Sequence, residues 1–158
     1  SKEDYTFTKP NRRFFPDYHL PSLFSEAVGE IAIAIDTSGS VSQKDFTAFL
    51  TEVNRIKTTV NPTLTTVIDF DTSVKKVYKL SQDESVAEVK FYGGGGTNLT
   101  PVFNYYNKEK VPNVLIVFSD LHCRAMTEKP DYPVLWVVID NPNAKVNFGT
   151  IIHYSTKE

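Results

Sequence analysis

Three polar stretches of the sequence carry residues that could hold a metal ion. Asp36, Ser38 and Ser40 follow one apolar run, and Asp120 follows another. Thr97 comes directly after four consecutive glycines. Carboxylate and hydroxyl oxygens are hard ligands that suit Mg²⁺, whereas zinc prefers nitrogen and sulfur. The residue types therefore predict a site for Mg²⁺, with Mn²⁺ or Ca²⁺ as alternatives.

The composition agrees with oxygen ligands and narrows the class of protein. The chain has 158 residues, three histidines, one cysteine and a formal net charge of −2. This length suits one globular domain, and the charge balance lacks the basic excess of a nucleic-acid binder. One cysteine excludes an internal disulfide, and neither a signal peptide nor a membrane-spanning run is visible. We expect a cytoplasmic protein.

The strands that position these residues are visible as apolar runs. Residues 31–35, 114–118 and 134–139 are nearly unbroken β-branched and apolar segments, typical of parallel strands buried on both faces. Residues 63–70 and 74–80 are separated by three residues, too few for a crossover helix, and predict a hairpin with an edge strand. Residues 146–154 are a last strand candidate.

Two helices are predicted between the strands. Apolar residues from Phe46 to Val60 follow helical spacing, with Ser42 as N-cap and Asp45 in the first turn. Thr100 and Pro101 predict a second helix, with the threonine as cap.

Residues 1–29 show neither helical nor strand periodicity and are interpreted as a lead-in segment, so the domain spans residues 30–158. The predicted fold is a Rossmann-like α/β domain of about six mostly parallel strands with one antiparallel edge strand and helices on both faces.

The three polar stretches should meet, because ligands of open α/β sheets bind beyond the carboxyl ends of the strands.

Other kinds of functional site have weaker support in the sequence. No lysine follows Gly96, as a phosphate-binding P-loop requires, and no His-Glu-x-x-His peptidase motif is present. Asp69 and Asp71 are spaced like the nucleophile motif of haloacid-dehalogenase phosphatases, but the next strand follows at once. We expect Asp71 to lie in the hairpin turn, at the same end of the sheet as Asp36, and to lend charge to the rim of the site.

The order of these motifs resembles the metal-ion-dependent adhesion site of von Willebrand factor type A (VWA) domains. That pattern is Asp-x-Ser-x-Ser, a distant threonine and a distant aspartate. The run from residue 30 to 152 is similar to VWA-like domains found at the C-terminus of bacterial and phage putative metal-dependent peptidases. The matching stretches are residues 11–13, 33–41, 94–103, 118–121 and 132–138.

The resemblance implies that the site residues have different roles in metal binding. Ser38 and Ser40 would ligate the metal, Thr97 would ligate directly or through water, and Asp36 and Asp120 would hold its waters. The sixth position would accept an acidic side chain of a protein partner. In the broader superfamily, intracellular members often work beside MoxR-type AAA+ ATPases, so such an ATPase is the expected partner class.

Two alternatives stay open beside this protein-binding role. The chain could be the non-catalytic half of a metallopeptidase-like protein, or a metal-dependent phosphohydrolase using the end of the sheet with Asp36 and Asp120. We expect no catalysis by the chain itself, because the candidate site lacks a nucleophile or general base with a partner.

Overall fold

The computed structural model describes residues 29–39, 41–86, 90–107, 110–124, 126 and 128–155. The predicted lead-in, apart from Gly29, and the candidate ligand Ser40 lie outside these residues. A six-stranded sheet forms the centre of the fold, with strand order β3-β2-β1-β4-β5-β6. The strands are β1 (Glu30–Asp36), β2 (Leu64–Phe70), β3 (Val74–Leu80), β4 (Val114–Ser119), β5 (Val134–Ile139) and β6 (Thr150–Tyr154).

Only the edge strand β3 runs antiparallel to its neighbour in this sheet. The predicted mostly parallel, Rossmann-like sheet is therefore confirmed. β2 and β3 lie on one side of β1, whereas β4, β5 and β6 lie on the other. The chain thus changes direction between β1 and β4. In open α/β sheets, the crevice beyond the carboxyl ends of the strands at such a point is where ligands bind.

The strand register brings the polar stretches to that crevice. Asp36, the last residue of β1, pairs with Phe70 near the end of β2. On the other side of β1, Ile35 pairs with Phe118, one residue before the end of β4. We call this end of the sheet the carboxyl edge.

Helix α1 (Gln43–Val60) covers one face of the sheet. Its stripe of Phe49, Val53 and Ile56 is buried, and the Phe49 ring meets that of Phe118 edge-on, with centroids 4.9 Å apart. The helix begins with the predicted cap: the Ser42 side chain accepts a hydrogen bond from the Asp45 N–H, and the Asp45 carboxylate accepts one from the Ser42 N–H. This reciprocal pair satisfies two free N–H groups at the start of the helix.

Helix α2 (Thr100–Tyr105) covers the opposite face, where its Val102 and Phe103 pack beside Trp136. The prediction that Thr100 caps this helix is wrong. Thr100 is the first helical residue, and its N–H donates to Asn98 Oδ1 at 3.1 Å. A capping threonine would accept from the N–H of Val102 or Phe103, but both of these groups donate to the Leu99 carbonyl, at 3.1 and 3.3 Å.

The connections around β5 differ from those of a standard α/β fold. Residues 120–133 and 140–149 join parallel strands without a helix in their described parts. The last strand is also shorter than the predicted 146–154, because it begins after Gly149, which has a φ of 81°. No helix among the described residues is long and apolar enough to cross a membrane.

Candidate functional site

Asp36 is the centre of the candidate site. It ends the central strand and is fully buried, with 0% of its surface exposed. Its Oδ1 accepts a hydrogen bond from the Ser38 N–H at 2.8 Å, and its Oδ2 accepts one from the Ser119 hydroxyl at 2.6 Å. The Thr97 hydroxyl lies 3.3 and 3.4 Å from the two oxygens. One carboxylate thus joins residues from the ends of β1 and β4 and from the glycine-rich loop.

The loop after β1 is held by backbone and side-chain contacts to its neighbours. The Thr37 N–H donates to the Phe70 carbonyl at 2.8 Å, and its hydroxyl lies 2.5 Å from Asp69 Oδ1. The Gly39 N–H donates to the Gly95 carbonyl at 2.9 Å. These bonds fix Ser38, which is 3% exposed, between the two neighbouring loops.

The glycine-rich loop (residues 93–96) is anchored by Asp71, not freely mobile above the sheet. Asp71 Oδ2 accepts from the Gly95 N–H at 3.0 Å, and its carbonyl accepts from the Asn98 N–H at 2.8 Å. These two bonds bracket Thr97. Asp71 lies in the turn between β2 and β3, as predicted, at the same end of the sheet as Asp36. It is 3% exposed, and its carboxylate binds backbone donors of the loop, so it does not lie at an open rim.

Gly93 explains why this loop needs glycine. A Cβ at this position would lie 1.8 Å from Thr37 Oγ1, which no real side chain tolerates. The close approach lets the loop pack directly against the residue that follows Asp36.

Asp120 lies at the end of β4 and is 6% exposed. Its Oδ1 accepts from the His122 N–H at 3.2 Å, and its carbonyl accepts from Asn141 Nδ2 at 2.7 Å. The next residue, Leu121, has a φ of 53°, unusual for a bulky side chain, and its N–H donates to Ser119 Oγ at 2.9 Å. The Ser119 hydroxyl therefore serves both Asp36 and the turn that carries Asp120.

The electrostatics of the site favour a cation. Burial raises the pKa of Asp36, and the charge of Asp120 adds to this effect, while hydrogen bonds from Ser119 and Ser38 oppose it. Two acidic residues that lie within each other's field and are largely buried would be relieved by a positive ion between them. The donor set, two carboxylates and hydroxyl groups, fits Mg²⁺ chemistry.

The structure thus brings four of the five predicted residues together at the carboxyl edge. Ser38 and Thr97 contact Asp36, and the charge of Asp120 acts on Asp36. The fifth, Ser40, lies outside the described residues. Within the part of the chain that is described, no group of three or more histidine, cysteine, aspartate or glutamate side chains could hold a metal by itself. Any ion here would depend on hydroxyl groups and water as well as on the carboxylates.

Sequence reasoning missed the roles of Ser119, Asp69 and Asn141. Ser119 had a usable signal, since it precedes Asp120 at a strand end. Asn141 had none, because its contact with the Asp120 carbonyl joins two connections that are 21 positions apart.

The structure argues against Asp69 as the nucleophile of a phosphatase and against Cys123, in the loop after Asp120, as a thiol nucleophile. Both oxygens of Asp69 accept hydrogen bonds, from the Thr37 hydroxyl and the Tyr92 N–H, and the residue is 0% exposed, so it is not placed to attack a phosphate. Burial raises the pKa of the Cys123 thiol to about 11, with contributions from the charges of Asp36 and Asp120. This thiol stays protonated near neutral pH and is a poor nucleophile.

Comparison with known proteins gives one family and one relative. A family model described as VWA-like domain (DUF2201) matches residues 31–155. An uncharacterized protein of Thermotoga maritima is 31% identical over 114 residues, which are 72% of this chain and 28% of that protein. The chain therefore spans less than a third of the length of this relative. No solved structure matches the chain.

The anchoring role of Asp71 predicts a pH-dependent loss of stability in Asp71→Asn. Burial disfavours the ionised carboxylate, but the N–H groups of Gly95, Ser73 and Thr72 and the Lys75 ammonium outweigh it and lower the pKa of Asp71 below its ordinary 3.8. Ionisation therefore stabilises the fold above that pH, and this stabilisation disappears as the pH falls through the lower folded-state value.

We expect Asp71→Asn to lower the free energy of unfolding by about 1–3 kcal/mol at neutral pH. The difference from wild type should shrink in urea titrations below pH 3.8. Asp83→Asn, which removes an exposed carboxylate beyond the other end of β3, is the matched control. A difference that stays constant across this pH range would contradict the anchoring role.

Proposed function

The chain belongs to the VWA-like domain (DUF2201) family, and from this membership we propose that it binds one divalent cation at the carboxyl edge and uses it to engage a protein partner. The proposal rests on the residues that surround the Asp36 carboxylate. This buried carboxylate contacts Ser38, Thr97 and Ser119 and lies in the field of Asp120.

The residues divide into ligands and supports. Ser38, Ser40 and Thr97 would supply hydroxyl oxygens to Mg²⁺, or to Mn²⁺ or Ca²⁺ in its place. Asp36 and Asp120 would accept hydrogen bonds from water in the site. Ser119 holds Asp36 Oδ2, and Asp71 fixes the backbone on both sides of Thr97, so the protein's own contacts position these two residues.

The partner in this proposal presents a carboxylate. When bound, the cation supplies an electrophilic coordination position for that group, since neutral hydroxyl ligands leave much of its charge uncompensated. The chain's own task is to keep Asp36 and Asp120 from occupying that position. Asp36 is suited to this task because its two oxygens already accept hydrogen bonds from the Ser38 N–H and the Ser119 hydroxyl, at 2.8 and 2.6 Å.

The proposal gives the chain a binding role without catalysis of its own. Asp69, the candidate phosphatase nucleophile, is buried and enclosed by hydrogen bonds from the Thr37 hydroxyl and the Tyr92 N–H. The family resemblance suggests a MoxR-type AAA+ ATPase as the partner class.

A second candidate is an accessory role within a longer protein. It is favoured by the Thermotoga maritima relative, of which this chain covers 28%. The domain would then bind a carboxylate for a peptidase-like region elsewhere in the same polypeptide. A His-Glu-x-x-His motif upstream in the full reading frame would favour this role over an independent adaptor.

Metal binding should raise the melting temperature. At a free Mg²⁺ concentration about 100 times the Kd, linkage adds about 2.7 kcal/mol to the free energy of unfolding. We expect Asp36→Asn to fold, because burial already disfavours the Asp36 charge, and to lose the Mg²⁺-dependent shift. Differential scanning calorimetry with Mg²⁺ and with chelator measures both variants.

Asp83→Asn is the matched control for this calorimetry, because it removes one exposed carboxylate far from the carboxyl edge. It should keep the wild-type response. Equal Mg²⁺-dependent shifts of the melting temperature in wild type and Asp36→Asn would contradict the proposed metal site.

Partner binding should depend on the same residue. We expect an affinity-tagged chain to retain its specific partners from a lysate of the source organism in Mg²⁺, and to release them in chelator. Quantitative mass spectrometry should show the same partners lost with Asp36→Asn and kept with Asp83→Asn. Partners that are retained unchanged in chelator and by Asp36→Asn would argue against a metal-bridged contact.

A further inference from the structure

A cavity of about 210 Å³ lies beside the candidate metal site, on the face of the sheet that α2 covers. We call it the apolar socket. It is lined mainly by uncharged side chains from α2's N-terminal side, the Asp120 loop, β5 and the connection to β6. These include Leu99, Leu121, Cys123, Met126, Trp136 and Ala144.

The socket is continuous with the metal-binding loops. Leu121 directly follows Asp120, and Leu99 comes two residues after Thr97. Cys123 lies within the electrostatic field of Asp36 and Asp120. A polypeptide segment that reaches the crevice with one side chain would therefore have the socket within reach of a neighbouring side chain.

The socket lies under two connections that lack helices in their described parts. In α/β folds, the crossover between parallel strands usually carries a helix that covers the sheet. Here residues 120–133 and 140–149 cover β5 with irregular segments, and every residue of that strand is buried. The cavity lies between these segments and the sheet. Trp136, in the middle of β5, forms part of its lining.

The walls of the socket are fixed by hydrogen bonds. The Leu121 N–H donates to Ser119 Oγ at 2.9 Å, which holds the residue at its positive φ. Asn141 Nδ2 donates to the Asp120 carbonyl at 2.7 Å and ties the two connections together. The Trp136 indole N–H donates to the Phe148 carbonyl at 2.9 Å, so the ring presents its apolar surface without an unsatisfied donor.

The size and charge of the socket indicate its occupant. An apolar cavity of about 150 Å³ is enough to hold benzene, so this one accommodates a phenyl ring. Lys145 is the one charged residue among the described residues that line it. Its ammonium complements an acidic segment, the same kind of segment that the metal site would take.

We propose that the apolar socket receives a phenylalanine-sized apolar side chain from the partner segment whose carboxylate engages the metal site. This inference rests on the proposed function and deepens it: the recognised motif is an acidic residue with a large apolar residue close to it. The metal site would recognise the acidic residue of the partner, and the socket would recognise the large apolar residue close to it.

The chain offers built-in probes for a test, since its only tryptophan, methionine and cysteine all line the socket. Peptides are selected from a random library on the full chain in Mg²⁺ and titrated against protein labelled with ¹³C in the Met126 methyl group. We expect selected peptides to carry an acidic and a large apolar residue. Binding should shift the Met126 methyl and the Trp136 indole signals.

Matched peptides separate the two contacts. Replacing the acidic residue by its amide, or the apolar residue by alanine, should each weaken binding about tenfold or more. On the protein, Ala144→Phe should fill the socket and weaken peptide binding to a similar extent. Val111→Phe, which adds the same ring at an exposed position before β4, is the control. Mg²⁺ titration of each variant identifies any that has lost its metal site.

The outcomes distinguish this inference from the function on which it rests. If chelator-sensitive acidic peptides are selected without an apolar preference, and Ala144→Phe binds them like Val111→Phe, the socket proposal is overturned and the metal-bridged function stands. If no selected peptide is sensitive to chelator, both fall. If Ala144→Phe fails to fold, unchanged Met126 and Trp136 signals on peptide binding to wild type are sufficient to overturn the socket.

Discussion

The buried carboxylate of Asp36 is the constraint on which the rest of the site depends. Removing a carboxylate from water costs several kcal/mol unless hydrogen bonds or a counter-charge compensate. Here the compensation comes from Ser38 in the loop after β1, Ser119 at the end of β4 and Thr97 after the glycine-rich loop. Hydrogen bonds to a charged group are worth about 1.5–3 kcal/mol each, so the three segments are drawn to one point. The raised pKa of Asp36 indicates that this compensation is incomplete, and a cation would supply the remainder.

The fold makes this arrangement available through its strand order. Asp36 and Ser119, the last residues of β1 and β4, are 83 positions apart in the chain. They are in contact because β1 and β4 are neighbours in the sheet, and this also brings Asp120 close to Asp36. The apolar face that α1 covers holds these strands from one side, through contacts such as Phe49 against Phe118. On the other side, the short helix α2 and irregular connections leave room for the apolar socket. One edge of the sheet thus combines a polar crevice with an apolar cavity.

Much of the fold could be predicted because local patterns dictate it. The strand at residues 134–139 was predicted to its ends, since a continuous β-branched run has few alternatives to a buried strand. The Ser42 cap followed from residue type and spacing. The site residues converged because strand ends converge. The predicted cap at Thr100 failed because the helix begins one residue earlier: the N–H groups of Val102 and Phe103 donate to the Leu99 carbonyl, so none is left for the threonine side chain. Asp71 was placed in the correct turn, but its anchoring role was not predicted, because its partner is a backbone group of a loop 24 positions away.

The central claim is that one divalent cation binds in the crevice between the ends of β1 and β4. The most direct measurement is a crystal structure of the full chain grown with saturating Mn²⁺, with anomalous scattering recorded at the manganese edge. The account predicts one strong anomalous peak bonded to the hydroxyl oxygens of Ser38 and Thr97, with Asp36 and Asp120 contacting its waters. An empty crevice under these conditions, or a peak bonded only to other residues, would contradict it.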